Sequence, residues 1–281
     1  MADSSKHHYL SIFHQLGFTN ESGRFFVFDK KIQPRKIRPS KPINEFFKRN
    51  LNTITNADGS KHHDLELFYD RQIESPAAPI LKKLIQTARC RRKPNLALEE
   101  KSDWLNFVNH QRKRPQDAFE RMGLRNNFEQ KITEIILNFE KIKGRELSEH
   151  ERSFFESGED IERLVQSSEV YARGSGSQVV LDALAQKGLA LGLVAKRNKS
   201  FIIGDYPFVK LGSGNSLAHV DMQYWLPISS DVIVGSLGNV GENYFFDIGS
   251  DLVRTVNKSI FGQSNRVAAR SKRLIALLAA L

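Results

Sequence analysis

The chain has 281 residues, 40% of them hydrophobic and 26% charged, which is enough apolar matter for a sizeable core and excludes a globally disordered or fibrous protein. A single cysteine, Cys90, excludes an intramolecular disulfide and a cysteine-built zinc or iron–sulfur centre. The net charge of +10 is one-sided, with 27 Lys/Arg against 17 Asp/Glu in residues 1–144 and 15 of each in 145–281.

In chain order, Met1–Tyr9 is polar and lacks the apolar core and small-residue cleavage site of a secretory signal, so a cytoplasmic location is expected. His8–Phe18 is an apolar-aromatic opening segment. Arg24–Asp29 reads as a strand, because Phe25, Phe26, Val27 and Phe28 form an apolar run too short for a helix. Residues 30–42 carry three prolines and six cations and suit an extended connection. Asp58-Gly59 marks a turn.

From Leu65 the spacing becomes helical through Phe68, Ile73, Ile80, Leu81, Leu84 and Ile85, with Pro76 and Pro79 expected to kink or split the helix. Trp104, Leu105, Phe107 and Val108 begin another, and Pro115 opens the next. Phe128–Ile142 repeats Ile132, Ile135, Ile136 and Phe139 at helical spacing, and Gly144 closes it. Ser148 with Glu151 forms a capping box for a helix over 149–172, and Ser175 with Gln178 precedes one over Val179–Leu193. Phe201–Gly204, Met222–Pro227 and Val232–Ser236 read as short strands, and the tail from Asp247 returns to helix. Leu274–Leu281 is apolar but far short of the ~20 residues that cross a bilayer; it suits a buried helix end or a contact with a protein partner or second copy. The expectation is one α+β domain over 1–281, its N- and C-terminal strands in one mixed sheet around a large central helical block.

Some motifs carry little. Adjacent pairs such as His7-His8 and His62-His63 do not both face one metal. Gly174-x-Gly176 and Gly212-x-Gly214 lack the strand-then-helix context of a phosphate loop, and no nucleophile elbow is present. The charge carries more, because a one-sided positive field attracts polyanions. Nucleic acid is the leading partner, with Lys36, Arg38, Arg91, Arg92, Lys93, Arg112 and Lys113 as candidate contacts; the alternative is that these residues form solvated faces of a basic protein.

Several short motifs occur together: His8-Tyr9 followed by Phe13 and Phe18, Ile73-Glu74, Gln111-x-x-Arg114 before Pro115, a strand ending Gly204-Asp205-Tyr206-Pro207, and Val256-Asn257. The chain thereby resembles a widespread bacterial family of unknown function marked by an N-terminal His-Tyr-Val-Pro motif, a Gln-x-x-Arg helix motif and a strand-end Ser-Asp-x-Pro motif. Here Leu10 and Ser11 replace Val-Pro, Leu16 stands where an arginine is expected, and Gly204 stands for the serine. The proline comes one residue early, which leaves open whether Arg114 or Lys113 holds the family's arginine position. The resemblance itself implies no reaction.

The polar residues so marked are His8, Glu74, Gln111, Arg114, Asp205 and Asn257. As a catalytic set, His8 would be general acid or base, Arg114 would clamp phosphate, Gln111 would orient substrate, and Glu74 and Asp205 could share Mg2+ or Mn2+ through hard oxygen ligands. That chemistry suits phosphodiester cleavage, hence a nuclease of toxin or phage-defence effector type. The alternatives are a non-enzymatic binding module, an enzyme for a nucleotide-like cofactor, and a purely structural role for Glu74, Arg114 and Asp205 as ion-pair and turn residues.

Overall fold

The computed structural model describes residues 5–55, 60–121, 137, 140–141, 144–149, 158–196, 198–213, 219 and 221–280. The protein is α+β. Its first strand, β1 (Lys6–His8), pairs with β4 (Phe47–Arg49). Between them come the one-turn helix α1 (Ile12–Leu16), β2 (Phe25–Asp29) and β3 (Arg38–Ser40). A small pair, β5 (Ile54–Thr55) and β6 (Lys61–His62), follows.

The helical stretch from Asp64 is not split by its prolines. It runs as α2 (Asp64–Phe68), a π-helical turn over Tyr69–Glu74, and α3 (Ser75–Arg89). The wide turn comes immediately before Pro76, where a missing N–H breaks the regular ladder, so the disruption lies upstream of the prolines. Next come α4 (Leu98–Gln111) and α5 (Ala118–Arg121). Of the helix expected over Phe128–Ile142, Leu137, Glu140 and Lys141 are described and are helical, while 122–136 and 150–157 lie outside the described residues, as do Asp58-Gly59 and Gly214. Gly144 adopts φ +65°, the left-handed geometry that ends helices.

After α6 (Gly158–Gly174), the helix expected over Val179–Leu193 stops early, as α7 (Gln178–Ala185), and the chain turns into β7 (Gly188–Val194). The apolar run Leu189–Val194 is a central strand buried on both faces, and such a run has no period that separates strand from helix. Gly192 is required there, because a Cβ would come within 2.7 Å of Ile248 Cγ1.

The strands divide between two larger sheets. One has the order β12-β7-β11-β10-β9, from β9 (Val209–Leu211), β10 (Gln223–Pro227), β11 (Val232–Leu237) and β12 (Asn243–Ile248), with only β12–β7 parallel. The other is the antiparallel β3-β2-β13-β8, from β8 (Ile203–Gly204) and β13 (Arg266–Ala269). The C-terminal region is therefore not all helix: β13 separates α8 (Ser250–Gln263) from α9 (Lys272–Ala279). Its Val267-Ala268-Ala269 core is fully buried, so small side chains fit a crowded central strand despite alanine's weak strand preference.

Strand alternation places the two cores. Leu189, Leu191, Tyr224, Leu226, Val232 and Val234 face α3 and α4 with Ile80, Leu84, Trp104 and Phe107. Val209, Trp225, Ile233 and Ile248 face the second sheet and α8 with Phe28, Ile203, Val256 and Ile260. Each such buried Leu, Ile, Val or Phe contributes about 1.5–3 kcal/mol. No helix among the described residues is long and apolar enough to cross a membrane.

Candidate functional site

Arg114 follows the end of α4 and points inward, 2% exposed. Its Nη2 donates to the backbone carbonyl of His8 at 2.7 Å and its Nη1 to Ser11 Oγ at 2.9 Å. The same Nη1 is ion-paired with Glu74 Oε1, which also accepts from Ser11 Oγ at 2.9 Å. The guanidinium lies 4.3 Å from the centre of the Tyr69 ring. Burial opposes its charge, yet Glu74 and Tyr69 hold its pKa above the ordinary value. The position next to it behaves differently: Lys113 donates to the carbonyl of Ser175 at 2.7 Å at an exposed site. Arg114 is thus the arginine that joins the motif residues.

Gln111, the last residue of α4, donates from Nε2 to the carbonyl of Tyr9 at 3.0 Å, while its buried Oε1 has no partner among the described residues. His8, Glu74, Gln111 and Arg114, far apart in the chain, therefore converge on the His8–Ser11 segment. His8 packs against Phe47 at 5.6 Å, its Nε2 is shut from solvent and has no hydrogen-bond partner among the described residues, and burial first of all lowers its pKa.

Asp205 stands in a different network. Its Oδ1 accepts from the backbone N–H of Arg266 at 2.8 Å. Burial, reinforced by nearby Asp117, raises its pKa to about 6. Asp117 in turn accepts from Tyr206 Oη at 2.8 Å and Asn265 Nδ2 at 2.9 Å. Asn257 bridges the 200–202 backbone, accepting from Ile202 N–H at 3.0 Å and donating to the Ser200 carbonyl at 2.9 Å. Glu74 and Asp205 share no hydrogen-bond partner, each being occupied by its own donors, and among the described residues no group of three or more His, Cys, Asp and Glu is placed to hold a metal ion.

The two motif regions do meet at one cleft. A cavity of about 530 Å³ is lined by Gln111 and Arg112 from the end of α4, by Tyr206–Lys210 after Asp205, and by Ser259 and Gln263 of α8. Gln263 Nε2 holds the 206–208 loop through the carbonyls of Tyr206 at 2.6 Å and Phe208 at 3.0 Å. Phe208 stacks on Tyr224, with ring centres 5.2 Å apart and 19° between planes, and Arg112 lies 5.9 Å from its centre. Among the described residues no carboxylate lines the cleft. Burial lowers the pKa of Arg112, and burial followed by repulsion from Arg112 lowers those of Lys113 and Lys210.

The other basic candidates lie elsewhere. Arg38 is ion-paired with the fully buried Glu45, and Arg91 with Asp247. Lys36, Arg92 and Lys93 are exposed. Lys210, Phe208 and Gln263 escape motif reading, because nothing local marks a strand lysine or a helix-end glutamine as cleft residues. Ser11 carried a faint signal as a departure from the Val-Pro pattern.

No curated protein and no solved structure gives a significant match. The family described as protein of unknown function (DUF4238) matches residues 6–273, spanning the Arg114 cluster and the cleft alike, and the chain belongs to that family.

Proposed function

We propose that the protein binds nucleic acid through the Gln111–Arg112–Lys210 cleft and acts on the phosphodiester held there, as a nuclease of toxin or phage-defence effector type. The observation that supports this reading is the charge of the cleft: Arg112 and Lys210 both line it, burial and then repulsion from Arg112 lower the pKa of Lys210, and among the described residues no carboxylate lines it. A phosphate would relieve that repulsion and accept charge-assisted hydrogen bonds. In this reading Arg114 and Glu74 act indirectly, by holding the His8–Ser11 segment against Gln111.

The cleft volume, which falls within the range of small-molecule sites, favours one second reading: a nucleotide as the natural ligand. Purified protein incubated with labelled tRNA, single-stranded RNA and duplex DNA, each with Mg2+, Mn2+ or chelator, tests the proposal. Cleavage by wild type that is lost in Arg112→Gln/Lys210→Gln is the expected result. Substrate shifted but intact under every condition would make this a binding module, and neither shift nor cleavage by folded protein would refute the proposal.

A further inference from the structure

A second cavity, of about 640 Å³, lies on another face of α8, between that helix, α9 and the 198–200 turn. Its wall on α8 is formed by Ser250, Val253, Arg254, Asn257 and Lys258, positions that share one helical face. Val253, Leu274, Leu277 and Leu278 form an apolar floor, and Lys199, Arg254, Lys258 and Arg273 supply four cations. Among the described residues no acidic residue lines it. The acid facing Arg254 is Asp251, 3.6 Å away and 97% exposed, where solvent leaves such a pair little strength.

An apolar floor beneath several cations asks for a ligand with two parts. Inorganic phosphate would leave the leucines wet, and an uncharged hydrocarbon would leave the cations unsatisfied. Ser250 adds a hydroxyl with no hydrogen-bond partner among the described residues. The starts of α8 and α9, at Ser250 and Lys272, also border the cavity and add to its preference for negative charge.

We infer that this cavity is a second ligand site, distinct from the Gln111–Lys210 cleft, for a small soluble amphiphilic anion: a phosphate or phosphate-like head bearing a short apolar tail. The head lies among Lys199, Arg254, Lys258 and Arg273, and the tail covers Leu274, Leu277 and Leu278. The site does not depend on the proposed nuclease reading, since the two cavities share only the α8 scaffold and no lining residue.

Calorimetric titration of the full chain with octyl phosphate, kept below its micelle concentration, tests it. One saturable site is expected, with octanol and inorganic phosphate each at least about tenfold weaker, because each lacks one of the two contributions. Arg254→Gln/Lys258→Gln, at exposed positions, is expected to weaken octyl phosphate by about tenfold or more. Leu277→Ser, at a position 59% exposed, is expected to narrow the advantage over inorganic phosphate. Arg92→Gln, at an exposed position that lines neither cavity, is expected to change nothing here, and the cleft is read separately by nucleic-acid binding and cleavage, so failure of this site and failure of the cleft are distinguishable. The inference is overturned by no saturable binding, by equal affinity for inorganic phosphate, by wild-type binding in the double variant, or by association with phosphatidylglycerol vesicles alone, which would make this a membrane-facing surface.

Discussion

Arg114 Nη2 lies 2.7 Å from the backbone carbonyl of His8, so a guanidinium at the end of α4 fixes the first strand of the chain. With Ser11 and Glu74 completing its bonds, Arg114 is a clasp between the N-terminal segment and the helices. Removing it strands a partly buried carboxylate and an unpaired carbonyl. Arg114→Ala is expected to cost about 3–5 kcal/mol. Arg114→Lys is expected to recover little, because one ammonium cannot serve His8, Ser11 and Glu74 in the same plane. Urea denaturation checks both, and an Arg114→Ala midpoint equal to wild type would refute the clasp.

The buried titrating groups set a pH dependence. His14 and His110 have pKa values lowered to about 4, first by burial. The stability they contribute is complete above pH 6.5 and is lost as pH falls toward 4. Asp205 acts in the opposite sense: with its pKa raised to about 6, the folded state keeps a proton the unfolded chain gives up, so it favours folding at low pH and opposes it above 6. Near pH 5 the unfolded chain holds two extra protons at the histidines and lacks one at Asp205, so stability falls by about 1.4 kcal/mol per pH unit on acidification. Denaturation midpoints between pH 6.5 and 4.5 check this. Asp205→Asn is expected to steepen the slope and raise stability at pH 7, whereas a drop in stability at pH 7 would contradict the assignment.

Gly204 departs from the serine expected in the strand-end motif, and its surroundings explain why. A Cβ there would come within 2.8 Å of Ser264 Cβ and closer still to its Oγ, while that hydroxyl accepts from the Tyr206 N–H at 3.2 Å. Gly204→Ser is therefore expected to cost about 1–3 kcal/mol through overpacking. Adding Ser264→Gly is expected to return part of that loss, a coupling measurable in a double-mutant cycle. Additive losses would show that the two positions do not compete for space.

The convergence of the Arg114 cluster was legible in polar residues scattered along the chain. His8, Glu74, Gln111 and Arg114 were each marked by a short motif, and they converge although up to 106 positions separate them. Their roles were less legible: Arg114 binds the protein's own backbone where a phosphate clamp was expected, and Glu74 and Asp205 stand in separate networks. In the fold, Phe25–Phe28 and Val232–Ser236 were recognisable as strands because turn residues bound short apolar runs. β7 was missed although Gln186 and Lys187 separate it from α7, because the short apolar run Leu189–Val194 has no period that tells strand from helix, and β13 was missed because two alanines resemble helix. Lys210 was invisible as a cleft residue because only the tertiary fold brings it beside Arg112.

The measurement that bears most directly on the proposed cleft is fluorescence anisotropy of a labelled single-stranded oligonucleotide, titrated across a salt series with wild type and Arg112→Gln/Lys210→Gln. If the cleft seats the phosphate, the double variant binds about tenfold or more weakly, with a salt slope lower by one to two and an unchanged melting temperature. Identical affinity and slope in both proteins would contradict it.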